Sequence, residues 1–384
     1  MVVQTEIGSM SEIKVLHVFK TYFPETVGGI EQVIRQLASA GKRKGVRSDV
    51  LTLTNGPSRV FRFEGQLVYA VHRDLDVAST GFSYQAFGAL KRIIDRYDVV
   101  HYHYPWPFGD LLKLLIDADK PSVVTYHSDI VRQKFLGKLY APLQRRFLNS
   151  VDCIVATSPS YLESSQTLRH YREKSTVVPI GLSKATYPVV SDNKIQCWKD
   201  EIGSDFFLFV GVLRYYKGLH ILLEALKGTD LTVVVAGTGP VEGELKRLAQ
   251  ELGVSANIRF LGRVTEEDKV ALLEACLGVV FPSHLRSEAF GITLLEGAMY
   301  GKPLISCEIK TGTSYINASG ETGIVIPPSD SGALREAMQT LAGDPVLVDQ
   351  MGANAFHRYQ TMFSDDVMFD GYYKAYKALL SKAQ

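Results

Sequence analysis

The stretch Ile13-Lys-Val-Leu-His-Val-Phe19 is a short apolar, β-branched run, followed by a loop through Gly28-Gly29 and an amphipathic helix from about Ile30 to Lys44. This strand–loop–helix unit recurs along the chain. Further strands are expected at Asp49–Leu53, Val99–Tyr104, Ser122–Tyr126, Cys153–Ala156 and Thr176–Val178, with helical patterns such as Gly88–Arg96 and Lys134–Asn149 between them. Alternation of this kind predicts a mostly parallel, doubly wound sheet that binds ligands beyond the carboxyl ends of its strands.

The pattern restarts after Ser183–Asn193, a polar stretch containing Pro188 that suits a linker. Phe206–Val210, Leu231–Ala236, Ile258–Phe260, Gly278–Phe281, Pro303–Cys307 and Gly323–Ile326 supply the strands of a second α/β unit. From Val367 to Ala383, Phe369, Tyr372, Tyr373 and Tyr376 recur at helical spacing, a packing stripe suited to closing one domain against the other. The expected organisation is an N-terminal α/β domain over 1–190, a second over 191–365, and a C-terminal helix over 366–384 that packs back on the first. A deep cleft between the domains is expected to hold the site.

Composition narrows the class. Of 384 residues, 46% are hydrophobic and 22% charged, and 42 Lys plus Arg balance 41 Asp plus Glu for a net charge of +1. Such a chain is long enough for two cores, and it is neither disordered in composition nor a nucleic-acid binder by bulk charge. Its longest uncharged stretches fall short of the ~20 apolar residues of a membrane span. The first residues lack the basic and apolar regions of a secretory signal, and Met10-Ser11-Glu12 suits a natural start, with residues 1–9 an extension. Cys153, Cys197, Cys276 and Cys307 show no C-x-x-C pairing, so reduced thiols and a cytoplasmic location are expected.

Three clusters carry candidate chemistry. The richest is Phe281-Pro-Ser-His-Leu-Arg-Ser-Glu-Ala-Phe-Gly-Ile-Thr-Leu-Leu-Glu296, read as a strand end, a loop and a short helix over Gly291–Tyr300. Free amides near Ile292 and Thr293 offer an anion site, and Glu288 and Glu296 are placed to face one ligand across the helix N-terminus. Alone, two glutamates eight apart are weak evidence, since on the order of one such pair arises by chance in a chain this long. The second cluster, Arg214-Tyr-Tyr-Lys217 between a strand and a helix, combines a guanidinium fork with a point charge and suits a diphosphate; two surface cations are the bland alternative. The third, Gly28-Gly29-Ile30-Glu31, allows close backbone approach to phosphate, or is an ordinary tight turn.

Other motifs are weaker. Gly237-Thr-Gly239-Pro240 has Glu242 where a dinucleotide fingerprint needs its third glycine, so it reads as a strand–helix turn. His127 follows a strand at the ligand edge, as a sugar-bonding or proton-transfer group or a structural histidine. His101 and His103 show no third metal ligand in spacing and read as packing or cleft lining. Asp74-Leu-Asp76 and Asp117-Ala-Asp119 read as solvated acids rather than metal-bridging pairs. Between Ile130 and Val151 stand Arg132, Lys134, Lys138, Arg145 and Arg146 with apolar residues interleaved: Phe135, Leu136, Leu139, Tyr140, Leu143, Phe147 and Leu148. That pattern suits either an anionic membrane surface or a core-packing amphipathic helix.

Taken together and in order, these clusters resemble family 4 of the retaining glycosyltransferases, which have the GT-B fold of two facing Rossmann-like domains. The resemblance runs from Gly28-Gly29-x-Glu31 through Asp98-Val-Val-His101-x-His103 and Arg214-x-x-Lys217 to Glu288–Glu296. It implies a nucleotide-sugar donor as substrate, with no cofactor and no metal. Arg214 and Lys217 would hold the diphosphate, helped by amides near Gly29, Ile292 and Thr293, with Phe290 and Gly291 also at the donor. Glu288 would contact the transferred sugar, Glu296 the ribose, Arg263 and Val264 the base, and His127 the sugar. Glu288 and His127 are thus the implied catalytic pair.

The stretch Gly312-Thr-Ser-Tyr-Ile-Asn317 with Gly320-Glu-Thr-Gly-Ile-Val325 looks like bacterial mannosyl- and rhamnosyltransferases of O-polysaccharide assembly, although Thr311-Gly-Thr-Ser departs from the Gly-Gly-x-x-Glu of many family members. The resemblance implies a GDP-linked mannose or D-rhamnose donor and a lipid-linked saccharide acceptor, with Arg132–Arg146 meeting the inner face of the cytoplasmic membrane. A UDP-sugar donor, a nucleotide-sugar epimerase of the same fold and a non-catalytic scaffold are the competing readings.

Overall fold

A computed structural model describes residues 12–77, 80–116, 118–130, 134–203 and 205–382, the side chains of 134–139 excepted. Met10, Ser11, Asp117 and Arg132, and the side chains of Lys134, Phe135, Leu136, Lys138 and Leu139, therefore lie outside the described residues. The chain divides into two compact units, Met1–Tyr126 with Phe135–Val155 and Phe369–Gln384, and His127–Lys134 with Ala156–Met368.

The N-terminal sheet has eight strands in the order Ser175–Val177, Cys153–Ala156, Ser122–Tyr126, Val99–Tyr104, Ile13–Val18, Val46–Thr54, Gln66–His72 and Arg59–Phe63. Ile13–Val18 pairs in parallel with Val46–Thr54 on one side and Val99–Tyr104 on the other. The strand order reverses there, and the loop leaving Val18 leads to Gly28 and the helix Gly29–Arg43.

The sequence pattern misses the outer edge of this sheet. Arg59–Phe63 and Gln66–His72 form an antiparallel hairpin. Its two-residue turn is Glu64-Gly65, both at positive φ (49° and 90°), a primed turn reached without the Asn-Gly signal that usually announces it. A second small hairpin, Leu75–Val77 with Thr80–Phe82, follows.

The second sheet has six strands, all paired in parallel, in the order Ile258–Gly262, Thr232–Ala236, Phe206–Val210, Gly278–Phe281, Leu304–Cys307, Gly323–Ile326. Counted along the chain this is 3-2-1-4-5-6, the doubly wound Rossmann order. Phe206, Phe207, Leu208 and Phe209 have no exposed surface, as expected of a central strand covered on both faces. The sequence-expected domain boundary at 190 falls between Ser175–Val177 and Phe206–Val210, the last and first strands of the two sheets.

The C-terminal helix is Asp365–Leu380, and its residues from Phe369 onward belong to the first compact unit. Phe369, Tyr372 and Tyr376 are buried. The Tyr372 hydroxyl lies 2.7 Å from Thr125 Oγ1, and that of Tyr376 lies 2.7 Å from His101 Nδ1. The aromatic stripe is packing with hydrogen-bonded tips.

His101 and His103 also belong to this interior. The spacing gave them no third partner, but the adjacent strand supplies His17, and ring nitrogens of the three lie within 4.8 Å of one another. His17 Nδ1 is 3.0 Å from His103 Nε2, and His101 Nε2 is 2.7 Å from Thr125 Oγ1, so the rings are already engaged in hydrogen bonds. Burial holds His17 down to about 3, which keeps it neutral.

Candidate active site

In the second sheet the strand order turns at Phe206–Val210 and Gly278–Phe281, which lie side by side. The chain leaves these two strands in opposite directions, opening a crevice at their carboxyl ends. The loop after Val210 carries Arg214 and Lys217; the loop after Phe281 carries Glu288. Two of the three sequence clusters thus converge at the switch point of one sheet.

Contact between the loops is direct. Lys217 Nζ donates to Glu288 Oε2 at 2.5 Å, with only 12% and 11% of the two side chains exposed. The ammonium also stands 4.5 Å from the centre of the Phe281 ring. Gly218 makes this approach possible: its φ is +74°, and a Cβ there would lie 2.0 Å from the Pro282 carbonyl oxygen. His284 N–H donates to the Tyr216 carbonyl at 3.0 Å, a second tie between the loops. Arg214 is exposed, and its guanidinium has no hydrogen bond or ion pair among the described residues.

The helix after Glu288 runs Ile292–Met299, one residue shorter at each end than expected. Gly291 caps it at φ 97° rather than beginning it. Thr293 Oγ1 donates to the Val210 carbonyl at 3.0 Å, which pins the helix start to the neighbouring strand. The Ile292 and Thr293 amides have no acceptor among the described residues, as the first turn of a helix requires.

Glu296 lies within this helix and is buried. Tyr187 Oη–H and Lys269 Nζ both donate to its Oε1, at 3.0 and 2.9 Å. Oε2 has no partner among the described residues and remains an open acceptor. Carboxylates around Lys269 outweigh its burial and hold its ammonium above the usual lysine range. Sequence reasoning passed over Lys269 and Tyr187. A usable signal for Lys269 was a cation directly before Val270-Ala-Leu-Leu273, the buried stretch of the helix Glu266–Ala275. Arg263 is exposed and Val264 half-buried, both just after Ile258–Gly262.

His127 and Asp129 group with this same unit. His127 is 6% exposed, and burial holds its imidazole down to about 3, so it is neutral at working pH. Phe290 is buried under Gly312, where an added Cβ would stand 2.4 Å from the ring.

The Gly28–Glu31 cluster belongs to the first unit. Gly28 is extended, and its missing Cβ leaves room for Glu31, whose Oε2 would lie 2.5 Å from that Cβ. Burial raises the Glu31 carboxyl, against its own amide, Thr21 and Lys20. The second glycine motif has a similar explanation. Cβ atoms at Gly237 and Gly239 would lie 2.0 and 2.2 Å from the carbonyl oxygens of Gly211 and Leu213, so these glycines admit the loop that carries Arg214 and Lys217 rather than a dinucleotide. Asp74 accepts from the Tyr84 amide, Asp76 pairs with Arg73, and Asp119 is exposed.

Residues 193–358 match the family model described as "Glycosyl transferases group 1", and residues 27–185 match that described as "Glycosyltransferase Family 4". The chain is 55% identical over 353 residues to D-rhamnosyltransferase WbpZ of Pseudomonas aeruginosa, covering 92% of each. It is 51% identical over 375 residues to O-antigen chain mannosyltransferase C of Escherichia coli, covering 96% of this chain and 99% of that one. Among solved structures, sucrose-phosphate synthase from Thermosynechococcus elongatus aligns with TM-score 0.78 at 19% identity, covering 96% of this chain and 100% of that one. The fold is GT-B, with two Rossmann-like α/β domains.

Proposed function

The chain belongs to the group 1 glycosyltransferases, and from that premise we propose that it moves mannose or D-rhamnose from a GDP-linked donor to a lipid-linked saccharide acceptor, retaining anomeric configuration and using no metal ion. The observation that carries the reading is the Lys217–Glu288 contact at the switch point, beside Arg214 and two free helix amides. The choice of sugar, and a role in O-antigen synthesis, rest on the names of the two relatives above half identity.

In this reading Lys217, Arg214 and the Ile292 and Thr293 amides hold the diphosphate. As the bond from C1 to the diphosphate oxygen breaks, negative charge grows on the leaving group, and these fixed donors stabilise the transition state more than the bound donor. The leaving phosphate oxygen takes the proton of the acceptor hydroxyl, whose oxygen bonds to C1 from the same face. Glu288 holds the transferred sugar, and neutral His127 accepts or donates a hydrogen bond to it. Glu296 Oε2 accepts from the ribose hydroxyls, Arg263 and Val264 flank the base, and Phe290 and Gly291 shape the loop at the sugar. No protein nucleophile is required.

The exposed Arg145 and Arg146 would place the helix Lys134–Ser150 against an anionic cytoplasmic membrane surface, where a lipid-linked acceptor resides. No helix among the described residues is long and apolar enough to cross a membrane. Turnover of Lys217→Ala and Glu288→Gln, assayed with and without chelator, tests the site. Both variants should lose transfer while chelator leaves the unaltered protein active; dependence on manganese would overturn the metal-free mechanism.

A further inference from the structure

Arg286 lies two residues before Glu288, in the loop that follows the strand Gly278–Phe281. Its Nη1 donates to Ser164 Oγ at 2.9 Å and to the Lys310 carbonyl at 2.8 Å. Nη2 stands 3.6 Å from Asp129 Oδ2, an ion pair with no hydrogen bond, and the guanidinium lies 5.4 Å from the centre of the Tyr161 ring. One planar fork therefore touches the end of the helix Pro159–Ser164, the loop after Leu304–Cys307, and the segment that carries His127.

The partners are themselves held. Ser165 Oγ donates to Asp129 Oδ1 at 2.7 Å, and the Asp129 amide donates to Tyr161 Oη at 2.6 Å. Ser164 Oγ shares the Lys310 carbonyl with Arg286, and Lys310 takes the left-handed φ of 56° that aims this carbonyl inward. Gly312 N–H donates to the Ala289 carbonyl at 2.9 Å, which ties the same loop to the residue after Glu288. His127 and Asp129 are two residues apart, as are Arg286 and Glu288. The Arg286–Asp129 pair thus joins the two segments that bear the implied catalytic pair.

We propose that Arg286 is a positioning residue that sets His127 against Glu288 by bridging Asp129, Ser164 and the Lys310 carbonyl. The proposal rests on the catalytic reading of His127 and Glu288 above. A guanidinium suits the task because its coplanar fork donates to two acceptors while its charge faces Asp129; a lysine keeps the charge without the fork. Its polar and ring contacts among the described residues are to Ser164, Lys310, Asp129 and Tyr161, so in this reading its loss falls on the geometry of reaction rather than on binding.

The test is steady-state kinetics on the full chain with GDP-mannose and a synthetic lipid-linked saccharide, beside GDP affinity by calorimetry. Arg286→Ala should lower kcat about 100-fold, the scale of a small misplacement of reacting groups, with donor KM and GDP affinity changed by less than about threefold. Arg286→Lys should fall between the two. Asp129→Ala should show much the same loss, and the double variant little more than either alone, because both remove one interaction. Added guanidinium ion at a non-denaturing concentration should restore part of the Arg286→Ala rate, and urea at the same concentration should not. A kcat within threefold of the unaltered protein for both Arg286 variants would overturn the proposal. So would additive losses in the double variant, or parallel losses of kcat, GDP affinity and thermal stability without guanidinium rescue. His127→Ala and Glu288→Gln run alongside: if they turn over normally the catalytic reading itself fails, whereas if they alone are inactive only the Arg286 bridge fails.

Discussion

Lys217 Nζ and Glu288 Oε2 are 2.5 Å apart, so the cation proposed to meet the diphosphate is held by the carboxylate proposed to meet the sugar. In that proposal one ammonium serves two anionic partners. Glu288→Gln removes the competing charge, so GDP should bind about three- to tenfold tighter while transfer is lost. Lys217→Ala should weaken GDP binding and lower kcat by about 10²–10³, as losing one fixed donor to a developing anion does elsewhere. Calorimetry with GDP on both variants checks this, and weaker binding by Glu288→Gln would contradict it.

Lys269 and Tyr187 aim Glu296 by holding one of its oxygens. Lys269→Met should raise donor KM about tenfold, the worth of one charge-assisted hydrogen bond, with a smaller effect on kcat. Initial rates across donor concentrations separate the two parameters.

Gly218 has no room for a side chain and sits at positive φ. Gly218→Ala should destabilise the second unit by about 2 kcal/mol or more through strain and the clash with Pro282. A fall in melting temperature, seen by circular dichroism, is the readout; Gly228→Ala, with an open Cβ position but similar φ, isolates the strain alone.

How much of this was legible beforehand follows from what a linear pattern can carry. The six parallel strands of the second sheet were readable because each is a short apolar run ending in a loop with Gly or Pro, and the loops carrying Arg214, Lys217 and Glu288 follow two of those strands. The Arg59–His72 hairpin was not, because its edge strand Arg59–Phe63 mixes charged and aromatic residues and its turn is Glu-Gly. His17 joining His101 and His103 depends on strand pairing across more than 80 residues. Arg286, Asp129 and Lys269 were missed for the same reason: their partners come from distant loops, and nothing in local spacing announces such contacts.

His17 and His127 are both held near 3 by burial, against an ordinary 6.5. Between these values the two histidines bind protons in the unfolded chain that they refuse in the folded one, so their contribution to stability is full above about pH 6.5 and is lost as pH drops through the window. Melting temperature should be flat above neutrality and decline on acidification. His17→Gln, which cannot titrate, should reduce the slope; an unchanged slope would remove His17 from this role.

The most direct measurement is turnover of the purified chain with a panel of GDP-mannose, GDP-D-rhamnose, UDP-glucose and UDP-N-acetylglucosamine, with a lipid-linked saccharide acceptor and the product anomer assigned by NMR. The account predicts transfer from a GDP donor alone, with the donor's anomeric configuration preserved and no loss in chelator. Transfer from a UDP-sugar only, an inverted product, or an altered donor sugar formed without acceptor would contradict it.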